Sequence, residues 1–146
     1  MPRDFKKILC ATDFSERSYH AVDYALRFAK ISNGTLIFTH IVHVPAGDLM
    51  GEQYTLNFAE AEQRARKMLE ELQTTRLGGY PHCEIHVEVG DPAEHILKLA
   101  RERNVDLIVT ATHGRSTLAS LVMGSVAEKV IRHAPCPVFV VRFGVE

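Results

Sequence analysis

The pattern of apolar and polar positions changes repeatedly along this chain, and the changes predict its strands. Short, nearly continuous apolar runs are typical of parallel strands that are covered on both faces. Runs of this kind predict strands at residues 6–11, 35–40 or slightly beyond, 84–89, 107–110 and 138–142. Because helical patterns separate these runs, without a linker or a repeat, the sequence predicts one α/β domain over residues 1–146.

The segments between the strands carry apolar residues at three- and four-residue steps, which predicts four helices. The first two are residues 15–31 and a stripe from Phe58 to Leu72, and they end at the glycine-containing pairs 33–34 and 78–79.

The third and fourth helices have clear start and stop signals. The third helix begins with a capping box, in which Asp91 is the N-cap and Glu94 is at the third position, and Pro92 lies in its first turn. The fourth helix begins near Gly124 and is ended by the prolines from Pro135 onwards.

Residues 44–56 lack clear periodicity and contain one proline and two glycines, so we predict a loop there. A loop of about a dozen residues above the carboxyl edge of a sheet is either a partial lid or a plain connection. The sequence favours neither interpretation.

A glycine-containing segment after the fourth strand is a candidate phosphate-binding loop. It consists of residues 111–114 (ATHG), nine further residues, and then Gly124 and Ser125. Glycines let backbone N–H groups approach an anion closely, and the N-terminus of the next helix adds partial positive charge. Neither the GxxxxGK[ST] pattern nor a GxGxxG after the first strand is present, so the spacing and the context carry this prediction.

Topology predicts that this loop meets Asp13. Right-handed crossovers place the ligand crevice of an open parallel sheet where the strand order reverses. For the strand order 3-2-1-4-5, with helices on both faces, the crevice lies beyond the carboxyl ends of strands one and four. Asp13 follows strand one and residues 111–114 follow strand four. An alternative role for Asp13 stays open, in which its carboxylate only accepts hydrogen bonds from N–H groups at the start of the first helix.

Three segments of the chain resemble the universal stress protein family. They are Asp13-Phe14-Ser15, the glycine loop and the closing residues 133–141 (HAPCPVFVV), in the family's order and spacing. The resemblance covers essentially the whole chain and implies the adenine nucleotide alpha hydrolase-like fold. It also implies a site for ATP, or for ADP or AMP, in which any Mg²⁺ is held mainly by the phosphates. The residues that it places at this site are Ala11, Thr12, Asp13, Ile41, Ala111, Thr112, His113, Gly114, Arg115, Gly124, Ser125 and Val126.

The residue types suit the roles that the resemblance implies. Asp13 would accept hydrogen bonds from the ribose or from the adenine amino group, and Ile41 would offer an apolar surface to the base. The phosphates would be held by backbone N–H groups and hydroxyls of Gly114, Gly124 and Ser125, with Ser116 or Thr117 as further donors.

One position departs from the family pattern, because Ala111 stands where that pattern has its first glycine. If the position needs a positive φ, alanine costs about 1 kcal/mol there. Its methyl group would also crowd the ribose. Nucleotide binding would then be weakened or lost, but the other elements of the pattern are intact and still favour a nucleotide.

Composition excludes several classes of protein. The chain has 17 basic and 18 acidic residues and a formal net charge of −1, so bulk electrostatics gives no sign of nucleic-acid or membrane binding. The apolar run after the basic N-terminal residues is too short for a secretory core. Cys10, Cys83 and Cys136 share no CxxC spacing, which indicates reduced thiols and a cytoplasmic protein. Cys136 is interpreted as a small apolar residue, with a reactive thiol as the alternative.

No metal site and no catalytic group are predicted. His40 with His43, and the group at residues 82–86, lack a full set of ligands, and residues three apart on a strand point to opposite faces. His113 lies in the loop, where a hydrogen-bonded histidine is favoured over a general base. A P-loop lysine, an acidic pair, a Ser-His-Asp arrangement and the acidic cluster and lysine of a receiver domain are not evident.

The sequence therefore predicts a cytoplasmic nucleotide-binding stress-response module. The alternatives are a slow ATPase and a stress or interaction dimer that has lost its nucleotide. An apolar last strand at residues 138–142, with Pro137 before it, predicts a homodimer through that edge, as the resemblance also implies.

Overall fold

A parallel sheet forms the centre of the protein. The computed structural model describes residues 4–44, 52–112 and 124–142, with the side chains of residues 52–57 outside that description. Its strands are β1 (Lys7–Ala11), β2 (Thr35–His43), β3 (Cys83–Gly90), β4 (Leu107–Ala111) and β5 (Val138–Val141). They are all parallel and lie in the order β3-β2-β1-β4-β5, which confirms the predicted order 3-2-1-4-5.

Helices cover both faces of this sheet, as predicted. They are α1 (Glu16–Ser32), α2 (Glu52–Thr74), α3 (Pro92–Glu102) and α4 (Ser125–His133). Helices α1 and α2 pack on one face, where Ala25 and Leu69 join one apolar core. Helices α3 and α4 pack on the other, where Ile96 and Val130 join a second core.

Strand β1 shows why its sequence is apolar at every central position. Ile8 and Cys10 point into the core under α1, whereas Leu9 points into the opposite core under α3 and α4. All three side chains are fully buried. Burying a large apolar side chain contributes about 1.5–3 kcal/mol, so a run without polar interruptions is the pattern that a central parallel strand requires.

Two element boundaries differ from the sequence prediction by more than one residue. Strand β2 continues to His43 because it stays paired with β3, where His43 lies opposite Gly90. Helix α2 begins at Glu52, so the prediction of a loop over residues 44–56 was wrong for residues 52–56. Helix prediction from sequence depends on apolar periodicity, and residues 52–56 (EQYTL) show no clear periodicity. Residues 45–51 of that predicted loop lie outside the described part of the chain.

The predicted end of α1 and the predicted start of α3 are both present. At the end of α1, Asn33 and Gly34 have different roles. Asn33 takes the left-handed conformation (φ 52°) at the end of α1. Gly34 is needed for a different reason, because a Cβ there would lie 2.5 Å from the carbonyl oxygen of Lys6. At the start of α3, the Asp91 carboxylate accepts the Glu94 N–H at 3.0 Å, which confirms the predicted N-cap.

None of the helices, over the residues that are described, is long and apolar enough to cross a membrane.

Candidate functional site

A cleft of about 550 Å³ opens at the carboxyl ends of the central strands, where the strand order reverses. This volume falls within the usual range of small-molecule sites. The cleft brings together nine of the candidate residues: Ala11, Thr12, Asp13, Ile41, Ala111, Thr112, Gly124, Ser125 and Val126. The other three candidates, His113, Gly114 and Arg115, lie outside the described residues, as do Ser116 and Thr117.

Thr12, directly after β1, is almost fully buried and has every polar group engaged. Its N–H donates to the carbonyl of Thr39 at 2.9 Å, and its carbonyl lies 2.7 Å from Nδ1 of His40. Its Oγ1 accepts the Phe14 N–H at 3.0 Å and lies 2.7 Å from Oγ of Ser18. The Ser18 hydroxyl donates to the carbonyl of Ser15, so the Thr12 hydroxyl is the donor towards Ser18. Thr12 therefore fixes the turn between β1 and α1.

Phe14 carries backbone strain within this turn. It has φ 65°, a left-handed conformation that costs a residue with a Cβ about 1–2 kcal/mol. Its ring packs on the imidazole of His40, with a centroid distance of 4.5 Å and an interplanar angle of 36°. The contacts around the turn therefore hold a conformation that the local sequence does not favour.

Asp13 serves the start of α1 and also lies at the cleft. Its Oδ1 accepts the Ser15 N–H at 3.0 Å and a bond from the Ser15 hydroxyl, while Ser15 is the N-cap of α1 and accepts the Ser18 N–H. The same carboxylate lines the cleft. Asp13 thus supports the helix cap and also places a negative charge at the cleft surface.

Ala111, at the end of β4, does not have a positive φ. This residue is the last of the strand, is paired with Val141 and is absent from the residues with positive φ in the described chain. Alanine therefore costs no backbone strain at this position, and crowding by its methyl group is the remaining way in which it could weaken binding.

The two arms of the glycine loop are joined by a hydrogen bond from the Gly124 N–H to the carbonyl of Thr112, at 2.7 Å. The Thr112 N–H donates in turn to the carbonyl of Val141 at 3.0 Å. Gly124 has φ −62° and ψ 152°, so its conformation does not require glycine. Its N–H is engaged by Thr112, so any backbone donors for an anion come from the residues that follow it in α4.

The N-terminus of α4 supplies donors that suit an anion. The first backbone bond of the helix runs from the Glu128 N–H to Gly124, so the amides of Ser125, Val126 and Ala127 precede it. All three residues line the cleft. N–H groups in the first turn have no partner inside their own helix, and the helix dipole adds partial positive charge there.

Two isoleucines give the cleft an apolar part. Ile41 at the end of β2 and Ile96 on α3 are 6% and 4% exposed, and both line the cleft. Ile96 and Pro92 were interpreted from the sequence only as core and helix-start residues. Ser18 was missed, and His40 was considered only as a metal ligand. Their positions depend on long-range packing, and no local motif signals it.

The described part of the cleft has few charged side chains. Among its described lining residues, Asp13 is the only one with a carboxylate, and none is a lysine or an arginine. Across the described residues, no three His, Cys, Asp or Glu side chains converge into a group that could hold a metal ion.

The three cysteines are free thiols. Burial raises the pKa of Cys10 to about 12, with a smaller contribution from the charge of Asp23, and burial also raises the pKa of Cys83 to about 11. Cys136 is half-buried and packs against the second core, which favours the apolar role.

Comparison with known proteins gives consistent similarities over the whole chain. Residues 4–142 match the model of the universal stress protein family. A protein of Thermus aquaticus named as a universal stress protein is 36% identical over 140 residues, covering 94% of this chain and 99% of its own. The solved structure of the hypothetical protein MJ0577 has a TM-score of 0.84 at 28% identity, covering 99% of this chain and 100% of its own. A universal stress protein solved in complex with cAMP has a TM-score of 0.70 at 24% identity, covering 95% and 98%.

Proposed function

The chain belongs to the universal stress protein family of stress-response proteins, and we propose that its cleft binds an adenine nucleotide: ATP, or ADP or AMP. The observation that carries this proposal is that a carboxylate and a helix N-terminus meet in one cleft. The Asp13 carboxylate follows β1, and the α4 N-terminus follows the loop after β4. A carboxylate accepts from ribose hydroxyls or an amino group, whereas free helix amides bind phosphate.

The arrangement of the cleft supports a nucleotide in one orientation. The apolar side chains of Ile41 and Ile96 offer a surface for the base near Asp13, and the amides of Ser125 and Val126 offer donors for the phosphates. The universal stress protein solved with cAMP binds an adenine nucleotide, but at 24% identity it is similar to this chain in fold alone. The proposal therefore depends on the residues of this chain.

Mg²⁺, where present, would be held mainly by the phosphates of the nucleotide, because the described lining residues supply a single carboxylate. A homodimer through β5 and a cytoplasmic location complete the proposal. Support comes from the position of β5 at the edge of the sheet and from the three free cysteines.

A direct test identifies the small molecule that the purified protein carries. The protein is denatured and the released compound is identified by mass spectrometry. The nucleotide-free protein is then titrated calorimetrically with ATP, ADP and AMP, with GTP as the control. We expect an adenine nucleotide to be released and GTP to bind more weakly, because guanine presents an acceptor where adenine presents its amino group to Asp13. Release of a flavin, or no binding of any adenine nucleotide, would overturn the proposal.

Slow ATP hydrolysis is the second candidate activity. Release of phosphate from the protein incubated with ATP and Mg²⁺, compared with ATP alone, measures it. We expect binding without substantial turnover, because the described cleft residues include no lysine or arginine to stabilise the charge that develops on a transferred phosphoryl group.

A further inference from the structure

His40 on β2 bridges two neighbouring strands at the edge of the cleft. Its Nδ1 lies 2.7 Å from the carbonyl oxygen of Thr12, beyond the end of β1. A carbonyl oxygen only accepts hydrogen bonds, so Nδ1 carries the proton. This bond therefore selects the Nδ1–H form of the neutral ring.

We propose that His40 is a positioning residue for the nucleotide, which acts by holding the Thr12–Asp13 peptide group in place. The peptide group is planar, and the carbonyl of Thr12 shares its plane with the N–H of Asp13. Fixing that carbonyl fixes the direction in which the chain enters Asp13. The inference rests on the proposed function, because the carboxylate being positioned is the one assigned to the adenosine end.

A second contact of His40 acts on the other side of Asp13. The imidazole packs against the ring of Phe14 at 4.5 Å, and Phe14 has the left-handed backbone conformation. The residues before and after Asp13 are thus both held by one side chain from the next strand. The remaining bonds of Thr12, with Thr39, Ser18 and Phe14, engage its N–H and hydroxyl, whereas His40 is the partner of its carbonyl.

Two substitutions separate the hydrogen bond from the ring contact. In His40→Asn the side-chain amide nitrogen occupies the place of Nδ1, so the donor is kept and the ring is lost. In His40→Phe the ring is kept and the donor is lost. The same substitutions at His133, an exposed residue at the far end of α4, are the matched controls.

Calorimetric titration of the nucleotide-free proteins with ATP is the first measurement. We expect His40→Asn to bind within about threefold of the parent and His40→Phe to bind about five- to tenfold more weakly, the factor expected from one net hydrogen bond. The His133 variants should bind as the parent does. Parental affinity in His40→Phe, or an equal loss in both His40 variants, would overturn the proposal.

Nuclear magnetic resonance of the nucleotide-free protein is the second measurement, and it does not depend on binding. The ¹⁵N shifts of His40, followed over a pH titration, should report the Nδ1–H form wherever the ring is neutral. The three-bond HN–Hα coupling of Asp13 reports its backbone φ and is insensitive to ring currents. It should change in His40→Phe and keep the parental value in His40→Asn. An Nε2–H ring would overturn the positioning role even if ATP binds. A parent protein that binds no nucleotide, with the Nδ1–H form present, would instead overturn the proposed function.

Discussion

Oδ1 of Asp13 accepts the backbone N–H of Ser15 at 3.0 Å, and Ser15 is the residue that caps α1. The carboxylate that lines the cleft is therefore also part of the support for a helix start. A substitution that removed every acceptor would confuse the two roles, whereas an amide keeps one acceptor oxygen for Ser15.

Asp13→Asn should accordingly weaken adenine-nucleotide binding and leave the domain folded, because asparagine still supports a helix start but accepts fewer hydrogen bonds from the nucleotide. Calorimetry with ATP and thermal unfolding by circular dichroism measure the two effects. Asp106→Asn is the matched control, since Asp106 accepts the N–H groups of Lys6 and Lys7 at the opposite end of β1. Equal ATP affinity in Asp13→Asn and the parent would assign Asp13 to the helix cap alone.

The sequence predicts the fold well because its signals are local and repeated. Buried runs such as residues 7–11 and the Asp91-Pro92 start of α3 each determine an element without reference to the rest of the chain. The strand order then follows from the handedness of the crossovers, and it places Asp13 and Ala111 in one cleft.

The contacts between these elements could not be predicted in the same way. His40 reaches Thr12 across two strands that are 28 positions apart in sequence, and this contact depends on the register between β1 and β2. The engagement of the Gly124 N–H by Thr112 likewise depends on how the glycine loop closes. Such contacts arise from three-dimensional packing, and residue types alone do not specify them.

The edge strand β5 leads to a prediction about assembly. Among the described strands its one partner is β4, so we expect its outer edge to pair antiparallel with a second copy. Val140→Lys should place a charge in that interface and yield monomers in light scattering. Ile131→Lys, at a position 40% exposed on α4, is the control with the same added charge. An unchanged mass for folded Val140→Lys would count against this interface.

The ion pair of Glu84 on β3 with Arg103 after α3 leads to a prediction about pH. Arg103 donates to Glu84 at 2.8 Å and, with a smaller effect from His86, lowers the pKa of that carboxyl below its ordinary value of 4.5. A lowered pKa in the folded state stabilises the protein above the ordinary pKa, and this stabilisation is lost as the pH falls through the folded value. Both side chains are about a third or more exposed, so the effect should be small.

Glu84→Gln should therefore have a lower melting temperature than the parent at pH 7, and the difference should shrink at about pH 3. Thermal unfolding at the two pH values measures it. Glu128→Gln, which breaks the more exposed pair of Glu128 with Arg132, is the control and should change the melting temperature less. A difference for Glu84→Gln that is the same at both pH values would contradict the assigned cause.

Gly124 and Ala111 together test the phosphate loop. Gly124 has an extended conformation that valine also adopts, so Gly124→Val should fold normally. A branched side chain directly before the first amides of α4 should hinder an anion from binding to them, so ATP binding should be abolished. Gly124→Ala is the graded control and should lose less affinity.

The change at Ala111 acts in the opposite direction. Since Ala111 is extended, its replacement by glycine relieves no backbone strain, and any gain in binding measures crowding by the methyl group. If the methyl group crowds the ribose, Ala111→Gly should strengthen ATP binding by about 0.5–1 kcal/mol, a few-fold in affinity, while glycine in a strand lowers thermal stability slightly. Calorimetry of both variants beside their melting temperatures separates these effects. If Gly124→Val and Ala111→Gly both stay folded and neither changes the response to ATP, the cleft does not bind the nucleotide, and the chain acts as a stress protein without one.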